Sequence, residues 1–384
     1  MRFEFATAGR IIFGPGTHEE FGSIAGEFGK RTFVVHGSNA ARAKPLLASI
    51  EAANIEYSCF EVRGEPTVEQ IAEGVNQARL AKSELIIGFG GGSVIDSAKA
   101  IAGLVTNPGA ILDYLEVIGK GKQLAVPALA CVAIPTTAGT GAEVTRNAVL
   151  ASLEHQIKVS LRSAFLLPRI AIVDPTLTID LPCSVTASTG LDALTQLIEP
   201  YVSIRANPVT DGLCIEGMRR VARSLRRAYE RGQDLAARED MALASLFGGL
   251  SLANAGLGAV HGFAAPIGGM FHAPHGAICA ALLPHVMRVN LRALRGRLPD
   301  SDSLRRYDSV AKILTGSNEA TAIDGVNWVS ELCKAVQVPG LRAYGVTVRD
   351  SSALVAKAAK ASSMKANPIV LTEDELTEAL QAAF

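Results

Sequence analysis

Neither sign of charge predominates in this chain: 37 lysines and arginines stand against 37 aspartates and glutamates, and the pI is near 7.1. That balance offers no electrostatic footprint for a nucleic acid or an acidic membrane surface, so neither is expected as a partner. Cysteine is scarce, with six thiols (Cys59, Cys131, Cys183, Cys214, Cys279 and Cys333) and no C-x-x-C pair. In a chain this long they read as ordinary buried thiols in a reducing compartment, which implies a cytoplasmic protein. No uninterrupted apolar run reaches the ~18 residues of a membrane span. The opening MRFEFATAGRIIFG lacks a basic segment followed by a long apolar core, so no signal peptide is expected.

What the chain has in quantity is glycine (36 residues) and apolar side chains (48%), spread over 384 residues. The length exceeds what one core usually supports and predicts two domains. Two β-like runs, FEFA and RIIFG, come first. Strand-like and helical stretches then alternate: Thr32–His36, helix 41–53, Tyr57–Val62, helix 68–81, Leu85–Phe89, Cys131–Thr137, Ile157–Leu161 and Ile170–Asp174. Helices between strands imply right-handed crossovers and a mostly parallel sheet. After Pro182 the β pattern ends, and Ala- and Leu-rich helical periodicity runs to Phe384, for example over 209–231 and 240–255. The expected division is 1–180 α/β and 181–384 all-helical, with the boundary near Leu181.

Two glycine-bearing loops follow strands. GFGGGSVIDSAKAIA runs from a buried strand through Gly90, Gly91 and Gly92 into a helix, where Ser93 and Asp96 approximate a capping box. Consecutive glycines let backbone approach a ligand, and N–H groups at a helix start suit a pyrophosphate. The Rossmann fingerprint is not matched, because Ser93 occupies its third glycine position. The second loop, PTTAGTGAE, offers Thr136, Thr137 and Thr140 at a strand's carboxyl end, where ligands of open α/β sheets bind. The first crossover strand ends in His36-Gly37-Ser38-Asn39 without an acid for a ribose 2′-hydroxyl, which leaves both NAD and NADP open.

In the second half, GLGAVHGFAAPIGGMFHAPHG holds three of the seven histidines, His261, His272 and His275, in an apolar setting. Upstream, Asp192 and Gln196 share one helix face at i, i+4. A carboxylate, an amide oxygen and the imidazoles of His261 and His275 form a candidate site for a divalent metal; satisfied polar residues in a helical core are the alternative.

Together, GGGSVIDSAKAIA, IPTTAGTGAEVTRNAV, LLPRIAIVDPTLTIDLP, STGLDALTQLIEPY and VHGFAAPIGGMFHAPHG resemble the iron-containing (group III) alcohol dehydrogenase family, in order and across the chain. The resemblance implies an N-terminal dinucleotide-binding domain, a helical C-terminal domain and a metal in the cleft between them, the architecture shared with dehydroquinate synthases. By motif position, Gly91, Gly92 and Ser93 would bind pyrophosphate, with Asp96 and the Gly37-Ser38 turn beside the cofactor. Thr136, Thr137, Thr140 and Lys158 would line its ribose and nicotinamide side. Asp192, Gln196, His261 and His275 would be the metal ligands for iron or zinc. Two positions depart from the family: the residue four after Asp192, usually His, is Gln196, and a further family histidine is Ala265.

The resemblance implies NAD(P)-dependent, metal-assisted oxidation of a small alcohol or reduction of an aldehyde, with His261 and His275 in the catalytic centre and His272 as the remaining candidate proton shuttle. Small or apolar flanks at Phe263, Ala264, Ala265, Ile267 and Met270 favour an uncharged substrate. The alternative is an oxo-acid reductase similar to maleylacetate reductase, with weak or no metal dependence. A lyase similar to dehydroquinate synthase would need a basic cluster that the sequence does not supply, and a silent dinucleotide-binding protein would show no turnover. A homodimer, through pairing of the N-terminal β-like run, is expected.

Overall fold

The short runs of Val, Ile and Phe fold as eight strands in the computed structural model, which describes residues 2–155, 157–271 and 273–384. They are β1 (Arg10–Phe13), β2 (Arg31–Gly37), β3 (Glu56–Val62), β4 (Leu85–Gly90), β5 (Ala130–Pro135), β6 (Asn147–Ser152), β7 (Ile157–Arg162) and β8 (Ile170–Val173). Six of them form one sheet in the order β1-β8-β5-β4-β2-β3, every pair parallel. The central strand β4 is buried at all six positions, as a sheet covered on both faces requires. The helices of this unit are α1 (Phe21–Ala25), α2 (Lys44–Ala52), α3 (Val68–Leu80), α4 (Gly92–Thr106) and the single turn α5 (Ile111–Tyr114).

Alternate residues of the strands serve opposite faces. Val34 and Ile87 pack with Ile24 of α1 and with Leu46 and Ile50 of α2, whereas Phe33, Val35 and Ile86 pack with Ile71 of α3 and Ile101 of α4. Connections that step toward β3 cross one face, and those that step toward β1 cross the other, as right-handed crossovers demand. The neighbours β2 and β4 therefore send their helices to opposite faces. A crevice opens there at the carboxyl ends of the strands, beside Gly37-Ser38 and Gly90–Ser93.

Three expectations change. The FEFA run is not a strand, since an extended run without a neighbouring ladder leaves its backbone groups to solvent, and residues 2–5 group with the helical unit. The run at 157–162 is a strand, but it pairs antiparallel with β6 in a separate hairpin. This hairpin packs Ala148, Leu150, Val159 and Leu161 against the α4 side of the core. Finally, α4 begins two residues earlier than the capping-box reading required. Gly91 is its N-cap and no side chain caps it. Ser93 thus lies inside the first turn, and Asp96 pairs with Lys99 Nζ at 2.8 Å and accepts from Val149 N at 3.0 Å.

The second unit comprises residues 2–5, Ala138–Thr140 and Ile179–Phe384. Its nine helices among the described residues are α6 (Cys183–Val202), α7 (Pro208–Glu230), α8 (Leu235–Ala255), α9 (Ala259–Met270), α10 (His275–Arg297), α11 (Asp302–Thr315), α12 (Ala322–Ala335), α13 (Ser351–Ala359) and α14 (Glu373–Gln381). One apolar core joins them, with Leu191, Leu194, Met218, Phe263, Ile278 and Leu282 fully enclosed. By length and composition α10 could cross a membrane, but most of its apolar stretch is buried inside the protein, as befits a core helix. The chain turns by 100° between α8 and α9. Gly256 makes the turn at φ 75°, ψ −179°, a conformation essentially confined to glycine.

The carboxyl end of β8 is pinned by Asp174. Its Oδ2 accepts from His18 Nδ1 at 2.5 Å and from His18 N at 3.2 Å, while Oδ1 accepts from Thr176 N and Oγ1. Burial alone would raise its pKa, but the bonds from His18 and Thr176 win and hold it at about 2. A depressed folded-state pKa stabilises the fold above the unfolded value near 3.8, and that contribution is lost as pH falls through about 2. Asp174→Asn should therefore lower stability at neutral pH by about 2 kcal/mol, with the deficit against wild type shrinking below about pH 4. Urea titrations at pH 7 and pH 3 check this; an equal deficit at both pH values would show that charge is not the cause.

Candidate metal centre and nucleotide loop

Helix α6 carries a polar stripe through an apolar core. Asp192, Gln196 and Glu199 follow one another at i, i+4 and i+7, so all three share a face, and each is at most 5% exposed. Buried polar side chains need partners, and two neighbouring helices supply them. Helix α9 points its N-terminus at this stripe. Glu199 Oε1 accepts from Val260 N at 2.8 Å, and Asn367 Oδ1 accepts from Ala259 N at 3.1 Å. These two acceptors replace the N-cap side chain that Gly258 lacks. A Cβ at 258 would lie 2.8 Å from Asn367 Oδ1 and 2.9 Å from Glu199 Oε1, so a larger residue would displace these two acceptors. Helix α10 starts with His275 directly against α6. A Cβ at Gly276 would come within 2.4 Å of Ser188 O, so only glycine allows this approach.

The result is a tight constellation. Asp192 Oδ1 lies 3.4 Å from His261 Nε2 and 3.7 Å from His275 Nε2. Cys279 Sγ lies 3.8 Å from each of the same two nitrogens. One donor atom from each of the four residues falls within 4.8 Å of all the others. His261 Nδ1 donates to Glu199 Oε2 at 2.7 Å, which fixes its tautomer and leaves the Nε2 lone pair facing Asp192 and Cys279. Two buried oxygens, Asp192 Oδ1 and Gln196 Oε1, accept no hydrogen bond. Asp192 is wholly enclosed, whereas a third of the His275 side chain is exposed, so one side of the cluster is accessible.

The electrostatics favour added positive charge. Burial opposes a charged imidazole at His261, yet Cys279, Glu199 and Asp192 raise its pKa well above the ordinary value. Burial likewise opposes charge on His275, but Cys279 and Asp192 raise its pKa. Burial would raise the pKa of Asp192, and the neighbouring His275, His261 and Gln196 lower it. A buried carboxylate with an unpartnered oxygen beside two imidazoles and a thiol fits a divalent metal by its donor chemistry.

Of the expected ligands, Asp192, His261 and His275 come together as the spacing implied. Gln196 lies one turn along the same face of α6, and its Oε1 is buried without a hydrogen-bond partner. His272, the candidate shuttle, lies outside the described residues. Ala265, one helical turn beyond His261, is partly buried and offers no titratable group. Phe263, Ala264 and Ile267, among the apolar flanks of His261, are fully buried in the helical core. Sequence reasoning missed Cys279 and Glu199. A signal exists for both, i+4 from His275 and i+7 from Asp192, but a single thiol or acid in an apolar helix does not by itself point to a metal.

At the sheet, Gly91 and Thr137 stand together, with Thr137 Oγ1 3.4 Å from the position a Cβ on Gly91 would take. Thr136 N donates to Gly90 O at 2.9 Å and joins the two loops at the carboxyl ends of β4 and β5. Thr140 groups with the helical unit. Ser38 is exposed and Gly37 partly so at the end of β2. Lys158, expected near a ribose, pairs with Glu65 at 2.9 Å. A buried lysine anchors the threonine loop: Lys99 Nζ donates to Ala142 O at 2.9 Å and Thr145 Oγ1 at 3.0 Å.

One unit is thus a parallel sheet with a glycine loop at its switch point, and the other holds a carboxylate–imidazole cluster. Comparison with known proteins agrees across the chain. Residues 8–175 match the iron-containing alcohol dehydrogenase model, and residues 186–384 match the C-terminal model of the Fe-containing alcohol dehydrogenase family. Alcohol dehydrogenase 4 of Saccharomyces cerevisiae (strain YJM789) is 34% identical over 97% of this chain and 96% of its own length. A crystal structure of 1,3-propanediol oxidoreductase superposes with a TM-score of 0.91 at 33% identity, covering both chains completely. Sulfoacetaldehyde reductase from Bifidobacterium kashiwanohense, solved in complex with NAD+, superposes at 0.86 with 27% identity over 100% of this chain and 99% of that one. The chain belongs to the iron-containing alcohol dehydrogenase family, oxidoreductases that act on CH–OH groups.

Glu199 holds His261 in the tautomer that leaves Nε2 free. Glu199→Gln keeps the shape but places an amide where a carboxylate accepted from Nδ1, which disfavours that tautomer. A fall of about 10–100-fold in metal affinity is expected, with little change in melting temperature. Competition with a chromophoric chelator checks this; unchanged affinity would remove Glu199 from the site.

Proposed function

We propose that this protein is an NAD(P)-dependent, metal-assisted alcohol dehydrogenase or aldehyde reductase for small, uncharged substrates. The observation that carries the reading is the buried Asp192 Oδ1, unpartnered by any hydrogen bond and set between two imidazole nitrogens. Asp192, His261 and His275 would hold an iron or zinc ion, with Gln196 beside them on the same face of α6. Such an ion supplies Lewis acidity toward a substrate oxygen, and the nicotinamide exchanges hydride with the carbon.

The protein's own groups do the rest. Asp192 balances charge in a site walled by apolar helices, and Glu199 keeps His261 in one orientation. The exposed edge of His275 faces the side from which a small substrate and solvent protons would arrive. Proton exchange would run through water there, because position 265 is alanine. The uncapped start of α4, with Gly91 as its N-cap, supports binding of the cofactor pyrophosphate by the Gly92 and Ser93 N–H groups. Thr137 beside Gly91 and the Gly37-Ser38 turn support contacts to the rest of the dinucleotide. The relative solved with NAD+ supports a nicotinamide cofactor. The end of β2, without an acid, supports use of either NAD or NADP. Lys158 is engaged by Glu65, so it supplies no free cation for a carboxylate substrate. Six free thiols support a cytoplasmic setting, and β1 at the sheet edge supports a homodimer paired through that strand.

Steady-state oxidation of NADH and NADPH with small aldehydes and oxo-acids, before and after chelation, tests the proposal. The expected result is stoichiometric cofactor turnover with aldehydes, lost on chelation and restored by iron or zinc. A metal-free protein that turns over at the full rate, or one that prefers oxo-acids, would overturn it.

A further inference from the structure

The metal-assisted reading leaves open which fourth group completes the ligand set. We propose, resting on that reading, that Cys279 is that ligand, a thiolate that makes the centre an Asp-His-His-Cys site suited to zinc.

The first support is distance. Zinc binds nitrogen and carboxylate oxygen at about 2.0–2.2 Å and thiolate sulfur at about 2.3 Å, so the edges of a tetrahedral set measure roughly 3.3–3.6 Å. Four of the six edges here measure 3.4 Å, 3.7 Å, 3.8 Å and 3.8 Å, and all four donor atoms lie within 4.8 Å of one another. The four measured edges are slightly wider than those of a loaded site. Cys279 reaches this arrangement because it sits one turn after His275 on α10, so one helix face delivers both donors.

The second support is the orientation of the rival ligand. Gln196 Oε1 is buried without a hydrogen-bond partner. That oxygen lies 3.6 Å from the point a Cβ on Gly248 would occupy, on the α8 side. With the amide oxygen beside α8, the sulfur takes the fourth corner.

The third support is the chemistry of the thiol. Cys279 is fully buried, and no hydroxyl, amide or carbonyl among the described residues is its hydrogen-bond partner; it meets only the two imidazoles. On binding, the S–H proton passes to solvent and sulfur bonds the metal with no change of oxidation state. A thiolate beside two imidazoles raises preference for zinc over the harder divalent ions.

Cobalt(II) is the probe. Apo-protein titrated with cobalt alone should bind one equivalent and show a near-ultraviolet thiolate-to-cobalt charge-transfer absorption together with visible d–d bands. In Cys279→Ser the charge-transfer absorption should vanish while weaker d–d bands persist, and zinc affinity should fall about 100-fold or more. Gln196→Ala should keep the charge-transfer absorption. Zinc-edge X-ray absorption on the wild-type protein needs no variant and should show one sulfur at about 2.3 Å. One bound cobalt without charge transfer, or a zinc shell of nitrogen and oxygen only, would overturn the thiolate ligand and leave the metal-assisted reading standing. Failure of the wild-type protein to bind cobalt or zinc would overturn both.

Discussion

The helical unit is built around the cost of keeping three polar side chains of α6 out of water. Asp192, Gln196 and Glu199 run as one stripe through a core of leucine, methionine and alanine, where an unpaired carboxylate would be strongly destabilising. Glu199 meets that cost structurally, with both oxygens occupied by the Val260 amide and the His261 ring. In doing so it ties α9 to α6, caps a helix that has no capping side chain, and orients an imidazole. Asp192 is left differently. Its Oδ1 is surrounded by nitrogen and sulfur donors but accepts no hydrogen bond, and a cation is the natural completion of that arrangement.

Close approach of backbones makes the cluster possible. Gly258 and Gly276 stand at the starts of α9 and α10, and at each a single added carbon would collide with a neighbouring oxygen. Asn367 links the start of α9 to Asn290 of α10, from which a further bond reaches Tyr307 of α11. The start of α9, which carries His261, is thus itself hydrogen-bonded, which limits how far that donor can drift. Fixed donors at near-bonding distances need little reorganisation on metal binding.

In the α/β unit the corresponding constraint is the handedness of crossovers. Once β2 sends its helix to one face and β4 to the other, the crevice at their carboxyl ends is determined, and the glycine loop and threonine loop fall beside it. Lys99 adds a buried charged anchor that holds the end of the threonine loop against α4.

Much of this was legible in the amino-acid sequence. Period-2 and helical patterns located the strands, the change to an all-helical second half and the two loops, because burial on one or both faces imposes those periods directly. The i, i+4 spacing of Asp192 and Gln196 and the apolar setting of His261 and His275 named most of the cluster. Tertiary structure decided what spacing cannot express. The β6–β7 hairpin left the main sheet because pairing partners are chosen in three dimensions. Ser93 and Asp96 lost their capping roles because the helix began at Gly92 and a buried lysine claimed the acid. Cys279 and Glu199 entered the site only when α6, α9 and α10 converged, since a side chain's role as ligand or partner depends on which atoms lie within a few ångströms, and no single helix contains them all.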